Sequence, residues 1–209
     1  MLFDDTYKTI KQPAEGTFKD KGSKFIAFAY PLHSETEVKG IISKLRAEHT
    51  KANHFCYAYR LSPDRNIYRV NDDGEPSGTA GRPILNALLS ADLTNILIVV
   101  VRYFGGTLLG VPGLINAYKS AAAEAIAVAV MVDKTVNDRY EIKFDYLVMN
   151  DVMRLIKEEP LNVIEQKFDN QCSIIFEVRT SQLNKVLQRI EKLTGDCCSL
   201  PWYKLIISI

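Results

Sequence analysis

Three groups of residues able to do chemistry fall between positions 54 and 110 of this 209-residue chain. Asp72-Asp73-Gly74-Glu75-Pro76 offers the hard oxygen donors that a cation such as Mg²⁺ takes. Asp-Gly and Glu-Pro are also ordinary turn material, and a turn rather than a metal site is expected here. His54 and Cys56 stand two apart, so on a strand they share one face. A thiolate nucleophile needs an adjacent base, and i, i+2 side chains on a strand meet poorly, so core packing is expected of this pair. Arg102-Tyr103-Phe104-Gly105-Gly106-Thr107-Leu108-Leu109-Gly110 joins a strand-like run to a helical one. A glycine loop feeding a helix start presents unpaired amides that attract phosphate or carboxylate, worth about 0.3–1 kcal/mol at an exposed helix end. Arg102 would add a charge-assisted bond. Alternatively, the glycines only let strand and helix meet closely while Arg102 pairs with a local acid. Pro112 removes one amide from such a nest.

The glycine spacing matches neither Gly-x-Gly-x-x-Gly nor a loop ending in Gly-Lys-Ser/Thr, so nucleotide hydrolysis is not expected. Three histidines and no Cys-x-x-Cys make no zinc site. No catalytic residue, metal or cofactor is assigned. Lys21, Lys24, Arg60 and Arg69 lie near Tyr57, Tyr59 and Tyr68, an interleaving that suits base stacking with phosphate contact; solvated charges outside and aromatics inside would look the same. From Pro76 to Lys119, three basic residues face a single acid, Asp92. The candidate anion- or nucleic-acid-binding set is therefore Lys21, Lys24, Arg60, Arg82, Arg102, Gly105, Gly106, Gly110 and Lys119.

The elements that must position these residues follow from periodicity. Residues 16–32 alternate as strand, with a turn or kink at Gly22-Ser23. Ser34-Glu35-Thr36-Glu37 has capping-box spacing, and Val38, Ile41, Ile42 and Leu45 continue one helical face, ending near His49. Residues 55–60 and 67–70 read as strands around Ser62-Pro63-Asp64-Arg65-Asn66. A helix opens near Thr79–Arg82, with Pro83 in its first turn. Ile96–Val101 reads as a strand buried on both faces. A long helix rich in alanine runs from Gly113. Composition changes near Asp133–Asp138, and the order β (139–147), α (150–159), β (161–168), β (172–179), α (182–194), β (203–208) is the ferredoxin-like plan. Two domains are expected, 1–135 and 136–209.

Composition supports an ordinary globular protein: 47% apolar, 24% charged and net charge +1. That balance gives no global pull toward polyanions. The acidic start Met1-Leu2-Phe3-Asp4-Asp5 is no signal peptide, and the longest apolar run is far short of the roughly 20 residues of a membrane span. Four irregularly spaced cysteines read as reduced thiols, with adjacent Cys197 and Cys198 poorly placed to bridge, and a cytoplasmic location without membrane contact is expected.

Several blocks carry a family resemblance: Lys21-Gly22-Ser23-Lys24-Phe25, His54-Phe55-Cys56-Tyr57-Ala58-Tyr59, Asp72 through Gly81, and Arg102-Tyr103-Phe104-Gly105-Gly106 with Leu109-Gly110. Together they resemble the IMPACT family, also called the YigZ family, over residues 10–130. The remainder resembles the small C-terminal domain of bacterial members. The resemblance implies an α+β protein, with an N-terminal α/β sandwich like ribosomal protein S5 domain 2 and a C-terminal ferredoxin-like βαββαβ domain. It also implies an architecture similar to domains IV and V of elongation factor G, and a link to translation. Eukaryotic relatives oppose a stress kinase with the help of an N-terminal RWD domain. The family blocks here begin near residue 16, leaving no room for one, so that role is not expected. A non-enzymatic regulator associated with RNA or the ribosome is the leading expectation. The alternatives are an enzyme for a small phosphorylated or carboxylated substrate, and a protein-interaction module using the ferredoxin-like sheet.

Overall fold

The continuous apolar run becomes the centre of a five-stranded antiparallel sheet. Strand β6 (Ile96–Tyr103) lies between β3 (Ser23–Pro31) and β4 (His54–Leu61), with β2 (Ala14–Asp20) and β5 (Ile67–Asn71) at the edges, in the order β2-β3-β6-β4-β5. The computed structural model describes residues 5–159, 161–168, 172–193 and 203–207. Alternation along β6 explains its composition. Ile96, Ile98 and Val100 join a core with helices α2 (Gly81–Ser90) and α3 (Gly110–Val128), whereas Leu97, Val99 and Val101 join a core with α1 (Thr36–Glu48). Both faces are covered, so no polar residue interrupts the run until Arg102.

The β2–β3 connection is a two-residue turn. Lys21 (φ 42°) and Gly22 (φ 80°) are both left-handed, the geometry that fits strand twist in a tight hairpin. At α1, the Glu37 carboxylate accepts the Ser34 amide at 2.8 Å and the Ser34 hydroxyl accepts the Thr36 amide at 3.2 Å. The long helix begins at Gly110, three residues earlier than its spacing suggests, because Pro112 falls in its first turn, where a helix tolerates the missing amide. Its small face allows close approach: a Cβ on Gly16 would stand 2.2 Å from the Ala125 nitrogen. A short pair, β1 (Thr6–Ile10) with β7 (Met131–Thr135), is not legible in the sequence, since β7 is almost wholly exposed and has no apolar alternation.

Chain contacts divide the molecule into two units: Thr6–Lys134, and Thr135 onward together with Asp5. The second unit runs β8 (Asn137–Phe144), α4 (Met149–Glu158), β9 (Asn162–Phe168), β10 (Cys172–Arg179), α5 (Leu183–Leu193) and β11 (Tyr203–Ile207). Its antiparallel order β11-β8-β10-β9 is that of the ferredoxin-like fold. Tyr140, Ile142, Phe144, Ile174 and Phe176 pack beneath Val152 and Leu155 of α4 and Val186 and Ile190 of α5. Strand β8 stops at Phe144, short of the expected 147, because Asp145 turns the chain by accepting the Leu147 amide at 3.0 Å. Glu159 is buried and bonded to Lys185 and Arg189, fastening the end of α4 to α5. The helix stop expected at Gly195, and Cys197 and Cys198, lie outside the described residues. Among the described residues no helix is long and apolar enough to cross a membrane. The chain is α+β.

Candidate functional site

The two glycine-rich blocks meet. Arg102 is the first polar residue on the inner face of β6, and across β4 the segment after β5 brings Glu75 to it. Arg102 Nη1 donates to Glu75 Oε1 at 2.5 Å, with 6% and 4% of the two side chains exposed. Tyr118 of α3 donates to the same oxygen at 2.8 Å. The guanidinium lies 5.4 Å from the Phe25 ring centroid and 5.6 Å from that of Phe104, within cation–π range. Its Nε is buried and has no hydrogen-bond partner among the described residues. Arg102 is thus not the exposed anion contact that its place beside the glycine loop suggests. The alternative reading, pairing with a local acid, is the arrangement found.

The other acids are also occupied. Asp72 accepts the amides of Gly78, Ala80 and Gly81 at 2.8–3.0 Å, which satisfies the free amides at the start of α2. Asp73 takes both oxygens to Arg46 at 2.7 and 2.8 Å and accepts the Phe55 amide. No group of three or more metal-ligating side chains forms among the described residues.

His54 and Cys56 do share a face of β4, with different fates. Cys56 is fully buried, its Sγ 3.0 Å from the Asp72 carbonyl and 3.3 Å from the Tyr118 hydroxyl. Burial pushes its thiol pKa far up, the reverse of an activated nucleophile. Burial likewise pushes up the Tyr118 hydroxyl. His54 is not core: a quarter of its side chain is exposed. Its Nδ1 lies 2.9 Å from the Asp73 carbonyl, which obliges Nδ1 to carry a proton, and Nε2 stands 3.9 Å from Glu75 Oε1.

His54, Glu75 and Arg102 form the polar end of a cleft of about 480 Å³. Its other walls include Asn53, Phe104, Leu108, Val111 and Leu114, and it reaches Gly110 at the start of α3. The N-cap residue of that helix is Leu109, and among the described residues no side chain caps it. Of the glycines in the candidate set, Gly110 (φ 69°) borders this cleft, and Gly105 instead packs on the β2–β3 turn, where a Cβ would stand 2.0 Å from the Gly22 carbonyl carbon. Gly106 (φ 86°) supplies a left-handed turn in the open.

The basic residues do not converge on one surface. Lys21 and Lys24 stand exposed at the hairpin end beside Gly105. Lys24 lies opposite Lys19 on one side and Tyr103 on the other, on the sheet face that carries α1. Lys19 is a member of this cluster that the candidate set lacked; the strand alternation of residues 16–32 was the signal for it. Arg60 lies at the far end of β4, beside Asp92 at 3.7 Å and the Leu93 carbonyl at 3.4 Å. Arg82 and Lys119 are exposed on α2 and α3, in the helix layer over the opposite face.

Fold and site define a two-unit α+β protein whose first unit carries a buried ion pair under a glycine loop. The family model for the IMPACT N-terminal domain matches residues 21–126. IMPACT family member YvyE of Bacillus subtilis is 30% identical over 190 residues, covering 91% of this chain and 88% of that protein. IMPACT family member YigZ of Escherichia coli is 32% identical over 160 residues, covering 76% and 78%. A crystal structure described as that of a hypothetical protein shares the fold, with TM-score 0.72 at 24% identity over 98% of both chains. The chain belongs to the IMPACT family.

Proposed function

We propose that this protein is a non-enzymatic regulator linked to translation, and that it binds RNA, free or on the ribosome, through the Lys19–Lys21–Lys24 end of the first unit. The link to translation rests on family membership. The RNA contact rests on one observation: Lys19 and Lys24 are directly opposed across the β2–β3 ladder. Like charges in that position destabilise a hairpin, and a phosphate backbone would turn the repulsion into attraction. Tyr103 beside Lys24 adds an aromatic face for a base. The glycine loop, packed on the turn at Gly22, holds this end in place.

Fluorescence anisotropy with a labelled single-stranded RNA, and co-sedimentation with ribosomes, both across a salt series, test the proposal. Affinity falls steeply as salt rises. Lys19→Glu with Lys24→Glu lowers affinity by about tenfold or more and flattens the salt slope by about two phosphate contacts. Lys119→Glu, on the helix layer, leaves both unchanged. Absence of binding by the folded wild type at low salt, or a double variant that binds like wild type, overturns it.

A further inference from the structure

Helix α1 packs on β6, β4 and β3, and no β5 residue joins the core beneath it. A groove of about 270 Å³ is left between the helix and this edge strand, on the same sheet face as Lys19 and Lys24. We infer that the groove seats one nucleotide of a single RNA strand, with its flanking phosphates met by Lys39 and Arg69; this rests on the RNA reading of the hairpin end.

The two walls present their cations to each other. Lys39, Ser43 and Arg46 stand at i, i+4 and i+7 on α1, one stripe of the helix, and all line the groove. Tyr57 and Arg69 line it from the sheet. Arg69 lies opposite Tyr59 in the ladder and Tyr57 opposite Asn71, which sets Arg69 and both tyrosines on the α1 face. Lys39 and Arg69 are exposed, and neither has an ion pair among the described residues. Arg46 is already fixed in place. Its Nη2 donates to both Asp73 oxygens, and its guanidinium lies 4.5 Å from the Phe55 ring centroid. Such a group loses little freedom when a ligand arrives.

Charge, shape and position together select the ligand. Among the lining residues three cations outnumber one acid, Glu35, which faces the Tyr59 hydroxyl. A recess of one charge sign with apolar walls, here Val38 and Ile42, concentrates the potential inside it. Tyr57 is half-buried and adds an aromatic surface, the pairing of charge and ring that single-strand sites use. The volume holds one nucleotide and excludes a duplex. A tract of acidic side chains would meet the same cations but has no base for Tyr57. The groove is also continuous with the hairpin end. Tyr103, opposite Lys24, has its hydroxyl 2.8 Å from His49 Nδ1, and His49 stands one helical turn beyond Arg46. One strand passing the end of α1 reaches both.

The test is fluorescence anisotropy of the full chain with a labelled oligouridine of about 12 nucleotides, with its oligoadenosine duplex, and with poly-glutamate as competitor. Lys39→Glu with Arg69→Glu weakens the single strand about tenfold or more and lowers the salt slope by about 1.4, the single-strand value for two phosphates. Lys8→Glu with Lys11→Glu makes the same charge change at β1, whose Ile10 packs in the α2–α3 core, and leaves both close to wild type. The duplex binds about tenfold or more weakly than the single strand, and poly-glutamate displaces the RNA poorly. A groove variant that binds like wild type, while Lys19→Glu with Lys24→Glu is weakened, overturns the inference and leaves the RNA reading standing. Weakening by the groove variant alone upholds the groove and overturns the hairpin contact. Equal affinity for the duplex, or ready displacement by poly-glutamate, overturns the inference, and absence of RNA binding at low salt overturns both.

Discussion

Arg102 and Glu75 form a buried ion pair that ties the end of the central strand to the loop before α2, the guanidinium of one 2.5 Å from the carboxylate of the other. Tyr118 closes the arrangement from α3. Three elements distant in sequence therefore share one oxygen atom.

Breaking this pair from one side leaves an uncompensated charge in the core. Glu75→Ala and Arg102→Ala each destabilise the protein by about 3–5 kcal/mol. The double variant loses markedly less than the sum of the two, because the second change removes the stranded partner. Urea denaturation of the four proteins completes the cycle.

Gly105 and Gly106 are neighbours with different reasons for being glycine. A Cβ on Gly105 overlaps the backbone of Gly22 and must push the hairpin turn away. On Gly106 it meets open space, and φ alone is unfavourable. Gly105→Ala is expected to cost about 1–3 kcal/mol, as overpacking does, and to weaken RNA binding by moving Lys21. Gly106→Ala costs about 1 kcal/mol, the left-handed penalty alone, with RNA binding kept. Denaturation and anisotropy on both variants separate the two effects.

The second unit is acid-sensitive through two carboxylates. Hydrogen bonds from Arg179 and Ser181 hold Asp5 well below its ordinary pKa of 3.8, and bonds from Arg189 and Lys185 hold Glu159 below 4.5. Each folded value is depressed, so the stabilisation is present above the ordinary values and is lost as pH falls through them toward the folded ones. Melting temperature measured from neutral pH downward is expected to decline below about pH 4.5. Glu159→Gln flattens that decline and lowers the neutral value.

The Cys56 thiol is shielded and held protonated by burial, with the Glu75, Asp73 and Asp72 charges adding to the effect. A thiol reagent applied to the native protein leaves Cys56 unmodified, and modification follows unfolding. Peptide mapping after timed labelling reads this directly. Rapid native labelling at Cys56 would revive a nucleophilic role.

What the sequence by itself determined was local. The opposing phases of Ile96–Val101, the helical spacing of Ile84, Leu85 and Leu88, the Ser34–Glu37 cap and the βαββαβ order all arise from contacts within a few residues, so periodicity reveals them. The family blocks were legible for the same reason, as short runs of defined residues. Partnerships were not legible. Asp72, Asp73 and Glu75 read as one acidic turn, yet tertiary structure sends them to the α2 amides, to Arg46 and to Arg102. Arg102, which follows a buried strand and precedes glycines, left two readings open, an anion contact or a pairing with a local acid. It is buried because β4 places the Glu75 loop over it and α3 brings Tyr118 from above. Lys24 read as one of several basic residues near tyrosines, and became half of an opposed pair with Lys19 only through the register of a two-residue turn. Strand register and helix docking decide which charges meet, and both are set by packing between segments far apart in the chain, which no local pattern encodes.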